Sequence, residues 1–68
     1  MKSLHQIRMD NSPRVTMREA LADLERLRDQ GRSDTRSMRA ALECESDIRR
    51  AEINGSSQVI ATYLNPVN

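Results

Sequence analysis

Between Pro13 and Ile53 the apolar residues recur at helical spacing in two runs that break only at Gly31-Arg32-Ser33. A connection this short leaves two consecutive helices little choice but to fold back on each other antiparallel. In the first run Met17, Ala20, Leu21, Leu24 and Leu27 fall within an arc of about 120°, the usual width of a buried stripe. Asp10-Asn11-Ser12-Pro13 reads as its start signal, and Gly31 as its left-handed C-cap. The second run has a seam of small residues, Ser37, Ala41, Cys44, Ile48 and Ala51, at alternating spacings of four and three. Such a seam lets two helix backbones approach closely, with the leucines of the first helix filling the space. Ser33 is the expected cap of this helix, and Asn54-Gly55 its end. The predicted helices therefore span Pro13–Gln30 and Asp34–Ile53.

The flanks are short. Residues 1–12 form an N-terminal arm whose Leu4, Ile7 and Met9 fit neither a strand nor a helical stripe, so an extended arm is expected. Residues 13–55 form the hairpin. Residues 56–68 hold Val59, Ile60, Tyr63 and Leu64, which suit a short helix face or an edge strand, ended by Asn65-Pro66. The fold class expected is all-α: an antiparallel helical hairpin with a short C-terminal helix or extended tail.

Core material is scarce. With 68 residues, no Phe, no Trp and a single Tyr, the chain has little with which to close a core alone. One cysteine forms no intramolecular disulfide, and one histidine beside it makes no structural zinc site. Small scaffolds without such staples commonly gain burial by association, so a homodimer is expected. Met38, Leu42 and Ile53 lie off the small-residue seam and, with Val59, Ile60, Tyr63 and Leu64, are the candidate dimer or partner interface. The alternative for the last four is that they fold over the open end of the hairpin.

Charge narrows the function. Eleven basic against ten acidic residues give a net charge of +1, which argues against a sequence-blind nucleic-acid binder. Arg26, Arg28, Arg32, Arg36 and Arg39 gather around the turn, opposed there only by Asp29 and Asp34. This tip is the candidate partner-binding site, suited to an acidic protein surface or a phosphate backbone. Glu43, Glu45, Asp47 and Glu52 lie toward the other end of the second helix, where Arg14 and Arg18 are the expected pairing partners. His5 and Cys44 have no companions that suggest a catalytic set, and there is no glycine-rich phosphate loop. No enzyme activity, metal or cofactor is expected. Neither a membrane-spanning run nor a signal peptide is visible, so a cytoplasmic protein without membrane contact is the expectation.

Two resemblances bear on function. The stretch Gly31–Leu42 resembles the turn and second helix of ribbon-helix-helix DNA-binding proteins, whose Gly-Arg-Ser turn and Arg-x-Ala-Leu element are matched by Gly31-Arg32-Ser33 and by Arg39, Ala41 and Leu42. That resemblance implies a dimeric transcriptional regulator with an N-terminal strand in the DNA major groove. Asn11-Ser12-Pro13, just before the first expected helix, is not a strand-forming sequence, and Ser37 stands at a normally apolar position. In size and style the whole chain is also similar to small phage-encoded inhibitors of host proteins, the quorum-sensing anti-activators of LuxR-type transcription activators among them. This likeness implies a protein that works by occupying a partner's surface. The leading expectation is thus a protein-binding inhibitor, with DNA binding as the alternative.

Overall fold

A computed structural model describes residues 1–65, and it is mostly helical with one small sheet. In chain order it has α1 (Leu4–Asp10), β1 (Arg14–Thr16), α2 (Met17–Gln30), α3 (Thr35–Ile53), β2 (Gln58–Ile60) and a 3-10 turn at Thr62–Leu64. Helices α2 and α3 form the expected hairpin. Cys44 Sγ lies 3.4 Å from the Ala20 carbonyl at one level, and Gly31 meets Met38 at the turn, which fixes the antiparallel sense. No helix among the described residues is long and apolar enough to cross a membrane.

The expected all-α class is corrected by the ribbon of β1 and β2. The strands pair antiparallel with Arg14 opposite Ile60, Val15 opposite Val59 and Thr16 opposite Gln58. Ala61 N–H extends the ladder to the Pro13 carbonyl at 2.8 Å. The β-branched residues Val15, Thr16, Val59 and Ile60 suit a pleated surface and here find one another. The first helix of the hairpin, α2, consequently starts at Met17 and not at Pro13. Thr16 caps it, accepting from Glu19 N–H at 3.1 Å, while its hydroxyl lies 3.3 Å from the Glu19 carboxylate. Thr16 and Glu19 have the spacing of a capping box, the sequence signal that outweighs Pro13.

Both expected caps at the turn are also revised. Asp34, not Ser33, caps α3, accepting from Arg36 N–H at 3.1 Å and from the Ser37 hydroxyl at 2.8 Å. The Ser37 and Arg36 hydrogen bonds hold the Asp34 carboxyl below its usual range. Gly31 is right-handed, with φ −66°. Its missing side chain matters for a different reason: a Cβ there meets the Met38 backbone at 2.9 Å. At the far end Gly55 is left-handed, φ 65°, and makes the double bond of a Schellman ending. Ser56 N–H reaches the Ala51 carbonyl at 2.9 Å and Gly55 N–H that of Glu52 at 3.1 Å, turning the chain toward β2.

The core is Ala20, Leu24, Ala41, Cys44, Ile48, Ala51, Val59, Ala61 and Tyr63, with Val15, Met17 and Leu27 partly buried against it. The small-residue seam is therefore inside, save Ser37, which is half-buried. The tail contributes a strand and then a turn, so both of its expected forms were partly apt. The part of the 56–68 segment beyond Asn65, with Pro66, lies outside the described residues. The extended arm is replaced by α1, capped by Ser3, whose hydroxyl accepts from Gln6 N–H at 3.1 Å. Asp10 takes hydrogen bonds from Lys2 at 2.6 Å and Gln6 at 3.0 Å. Because α1 buries none of its residues, it has no stripe to read.

Three substitutions test this packing. Gly31→Ala should destabilise by about 1–3 kcal/mol, the usual range for forced overpacking, and Gly55→Ala by about 1 kcal/mol through its left-handed backbone. Urea denaturation measures both. Equal, near-zero losses would contradict the close helix approach at Met38. Asp47→Ala should cost about 3 kcal/mol by the same assay, because it strands the buried Thr62 hydroxyl and Tyr63 N–H as donors.

Candidate binding surfaces

The five tip arginines do not act as one group. Arg26 is tied to Asp23 at 3.2 Å and Arg28 to Glu45 of α3 at 2.7 Å. Arg32, Arg36 and Arg39 have no ion-pair partner among the described residues. An open groove of about 820 Å³ along α2 brings Arg26, Arg28 and Arg32 together with Leu21, Leu24 and Glu25. Arg36 and Arg39 line a separate hollow with Ser33, Asp34 and Thr35 at the start of α3. The acidic half of α3 is paired differently from expectation. Glu43 meets Arg8 of α1, Glu45 meets Arg28 and Arg49, and Asp47 meets Arg50. Arg14 and Arg18 are left without carboxylate partners among the described residues.

The candidate apolar interface divides as well. Val59 is fully buried and Tyr63 is 4% exposed, both inside their own chain, so they are not available as docking residues. Their burial answers to the lack of other aromatic side chains: Tyr63 covers one side of the hairpin, its hydroxyl at Asp23 midway along α2 and its N–H at Asp47 of α3. Ile60 is half-buried, while Leu64, Met38, Leu42 and Ile53 are exposed. Leu21, expected in the buried stripe of α2, is 50% exposed. It joins Met38 and Leu42 as uncovered apolar surface.

Sequence reasoning passed over three features. The first is Arg8, whose guanidinium pairs with Glu43 and donates to the carbonyls of Asn65 at 3.1 Å and Thr62 at 3.0 Å. It holds α1 to the tail although α1 has no buried face. The second is the ribbon's solvent side, where Arg14, Thr16 and Gln58 are all exposed. Only the alternation of Arg14-Val15-Thr16 hinted at it. The third is the polar interior. The Tyr63 hydroxyl donates to Asp23 at 2.6 Å, and the buried Asp47 carboxylate accepts from the Thr62 hydroxyl, Tyr63 N–H and Arg50.

These interior groups are held in their neutral or paired forms. Burial, with the Asp23 hydrogen bond next, pushes the Tyr63 phenol well above its usual range. Burial pushes the Cys44 thiol up to about 11, with Asp23 and Asp47 adding to the effect. A thiol so placed behaves as a small apolar group. Among the described residues no cluster of His, Cys, Asp and Glu is arranged to hold a metal ion. No protein-family model, curated protein or solved structure matches this chain.

The two raised groups set the alkaline behaviour. Each is protonated in the fold at pH values where its unfolded counterpart has ionised, so the folded chain binds more protons and stability falls as pH rises. For Cys44 the loss should run from its ordinary value of 9.0 to about 11. For Tyr63 it starts near the ordinary phenol value of 10.0 and continues upward. Denaturation midpoints measured across that range should decline, and Cys44→Ala should delay the onset toward pH 10. A flat profile to pH 11 would contradict the burial of both groups.

Proposed function

We propose that this chain is a small non-enzymatic protein-binding protein that inhibits a host protein, such as a transcription regulator, by occupying its surface. The observation that supports this reading is the hairpin tip. Arg32, Arg36 and Arg39 are exposed and unpaired among the described residues, and Arg32 borders a groove that also holds Leu21 and Leu24. Arginine beside apolar surface is the composition of an interface hot spot, and its charge selects an acidic partner. The same reading takes the chain as a homodimer acting in the cytoplasm, because its own core is small for independent stability.

A second reading keeps the resemblance to ribbon-helix-helix regulators. Strand β1 leads directly into α2, and the ribbon's outer face presents Arg14, Thr16 and Gln58. Side chains of these types pair with base edges in a major groove. The departure is that β1 takes its partner strand from its own chain, whereas the family takes it from a second copy.

One set of variants separates the readings. Replacing Arg32 and Arg36 with alanine should weaken capture of a host protein at least about tenfold, the loss of one good contact, with Tm unchanged. Arg14→Ala should leave that capture intact. Retardation of genomic DNA fragments that weakens steeply with salt, and that Arg14→Ala abolishes, would instead favour the ribbon. Undiminished capture by the folded Arg32/Arg36 variant would remove the tip from the mechanism.

A further inference from the structure

The hairpin has one covered side and one bare side. On the covered side Asp23 of α2 and Asp47 of α3 hold the Tyr63 hydroxyl and the 3-10 turn. At ~100° per residue, Leu21, Glu25 and Arg28 cluster on α2 roughly 160° away from Asp23. Met38, Leu42, Glu45 and Arg49 likewise share an arc of about 60° on α3, roughly 170° from Asp47. The Arg28–Glu45 ion pair, 2.7 Å, bridges these two flanks and places them on the same side of the hairpin. Nothing in the described chain covers that side: Leu21 is 50%, Met38 40% and Leu42 62% exposed. The Cα envelope is correspondingly flat, 39 × 27 × 16 Å.

We infer that a second copy of this chain covers the bare side, stacking two hairpins into a four-helix bundle. This rests on the dimeric part of the function proposed above and names its surface. The charge pattern selects the occupant. Glu25 and Glu45 against Arg28 and Arg49 leave the face neutral, with both signs interleaved among the apolar residues. A closed two-fold interface requires a patch that complements itself, and a mixed, neutral patch does so where a single-sign patch repels. Glu45 serves both Arg28 and Arg49, while Glu25 has no ion-pair partner among the described residues. A facing copy supplies the missing partner: its Glu25 meets Arg28 and Arg49, which otherwise share the single Glu45. An acidic partner protein gains nothing on this neutral face; the groove beside Arg32 shares Leu21, Glu25 and Arg28 with it, so in the dimer such a partner is left the tip arginines Arg32, Arg36 and Arg39. Two helices of about 14 and 19 residues provide a face wide enough for the roughly 1,000 Å² of total burial that a specific dimer needs. Ile53 lies toward the edge of the arc and contributes less.

Sedimentation equilibrium of the full chain at micromolar concentration tests this. The wild type should be a dimer. Leu42→Glu should weaken association at least about a hundredfold, since the dimer loses two buried leucines and gains two unpaired charges. Its helical circular dichroism should persist, because Leu42 is outside the core. Ile53→Glu should leave the dimer nearly unchanged. Arg49→Glu should weaken it, and Glu25→Arg mixed with Arg49→Glu should restore a heterodimer. A monomeric wild type, or a Leu42→Glu chain that still dimerises, would overturn the assignment. Loss of helix in Leu42→Glu would place Leu42 in the monomer's core and overturn it too. Failure of the protein-binding reading is visible separately, as a dimer that captures no partner whether or not its tip arginines are present.

Discussion

The fold of this chain depends on the carboxylate of Asp47. It is 2% exposed, and a charge so deeply placed is tolerable only when its oxygens are occupied. The Thr62 hydroxyl lies 2.8 Å from both oxygens, Tyr63 N–H donates at 3.2 Å and Arg50 at 3.1 Å. Each of the first two contacts ties the C-terminal turn to the middle of α3. That turn then lays the Tyr63 ring along one side of the hairpin and delivers its hydroxyl to Asp23 of α2. The preceding residues Val59 and Ala61 are thereby drawn into the core, and β2 is left in register to pair with β1. A single buried acid thus links both helices, the ribbon and the tail. No described buried side-chain polar atom lacks a partner, so the arrangement closes without an orphaned group.

What was legible in the sequence is the part built on periodicity. The stripe of α2 and the small-residue seam of α3 are statements about helix faces, and Ala20, Leu24, Ala41, Cys44, Ile48 and Ala51 are where those faces say they should be. What was not legible depends on residues distant in sequence. Asp47 resembled any acid on a solvated helix flank until Thr62 arrived beside it. The ribbon needed β1 to find a strand more than forty positions on, and three residues per strand are too few for alternation to declare itself. Helix α1 eluded periodicity because its contacts are polar: Arg8 is its anchor, not an apolar stripe. The misplaced start of α2 was different in kind. The Thr16 to Glu19 capping box was readable in the sequence, but the start was placed on the proline signal alone.

The candidate surfaces divided along the same line. Sequence clustering made five arginines look like one tip, but helix geometry sends Arg28 across to Glu45 and Arg26 back to Asp23. Proximity along a chain says little about which charges a neighbouring helix will neutralise. Likewise Val59 and Tyr63 looked like spare apolar surface because nothing local showed that one side of the hairpin would need covering. Leu21 moved the other way, from expected core to exposed face. The tail covers the Asp23 side of α2, and Leu21 points elsewhere.

This use of the tail has a cost that bears on binding. The only aromatic residue of the chain is spent on closing the core, so no Tyr, Trp or Phe remains for an outer surface. Interfaces ordinarily take much of their energy from aromatic anchors in desolvated pockets. Here that part falls to arginine, leucine and methionine. Arginine offers a planar, weakly hydrated cation with a long apolar stem, and methionine adapts its shape to the surface it meets. Association resting on such groups gains from charge complementarity, which speeds encounter and discriminates between partners, and it weakens as salt screens the charges. The neutral, mixed-sign face and the unpaired tip therefore differ in how they respond to ionic strength. In the proposed dimer, close pairs at the face are shielded from water and screened little. At the tip, exposed arginines attract over longer range and lose that attraction within a Debye length of about 8 Å at physiological salt. On the proposed reading, one small fold carries one surface whose association is governed by burial and another whose association is governed by field.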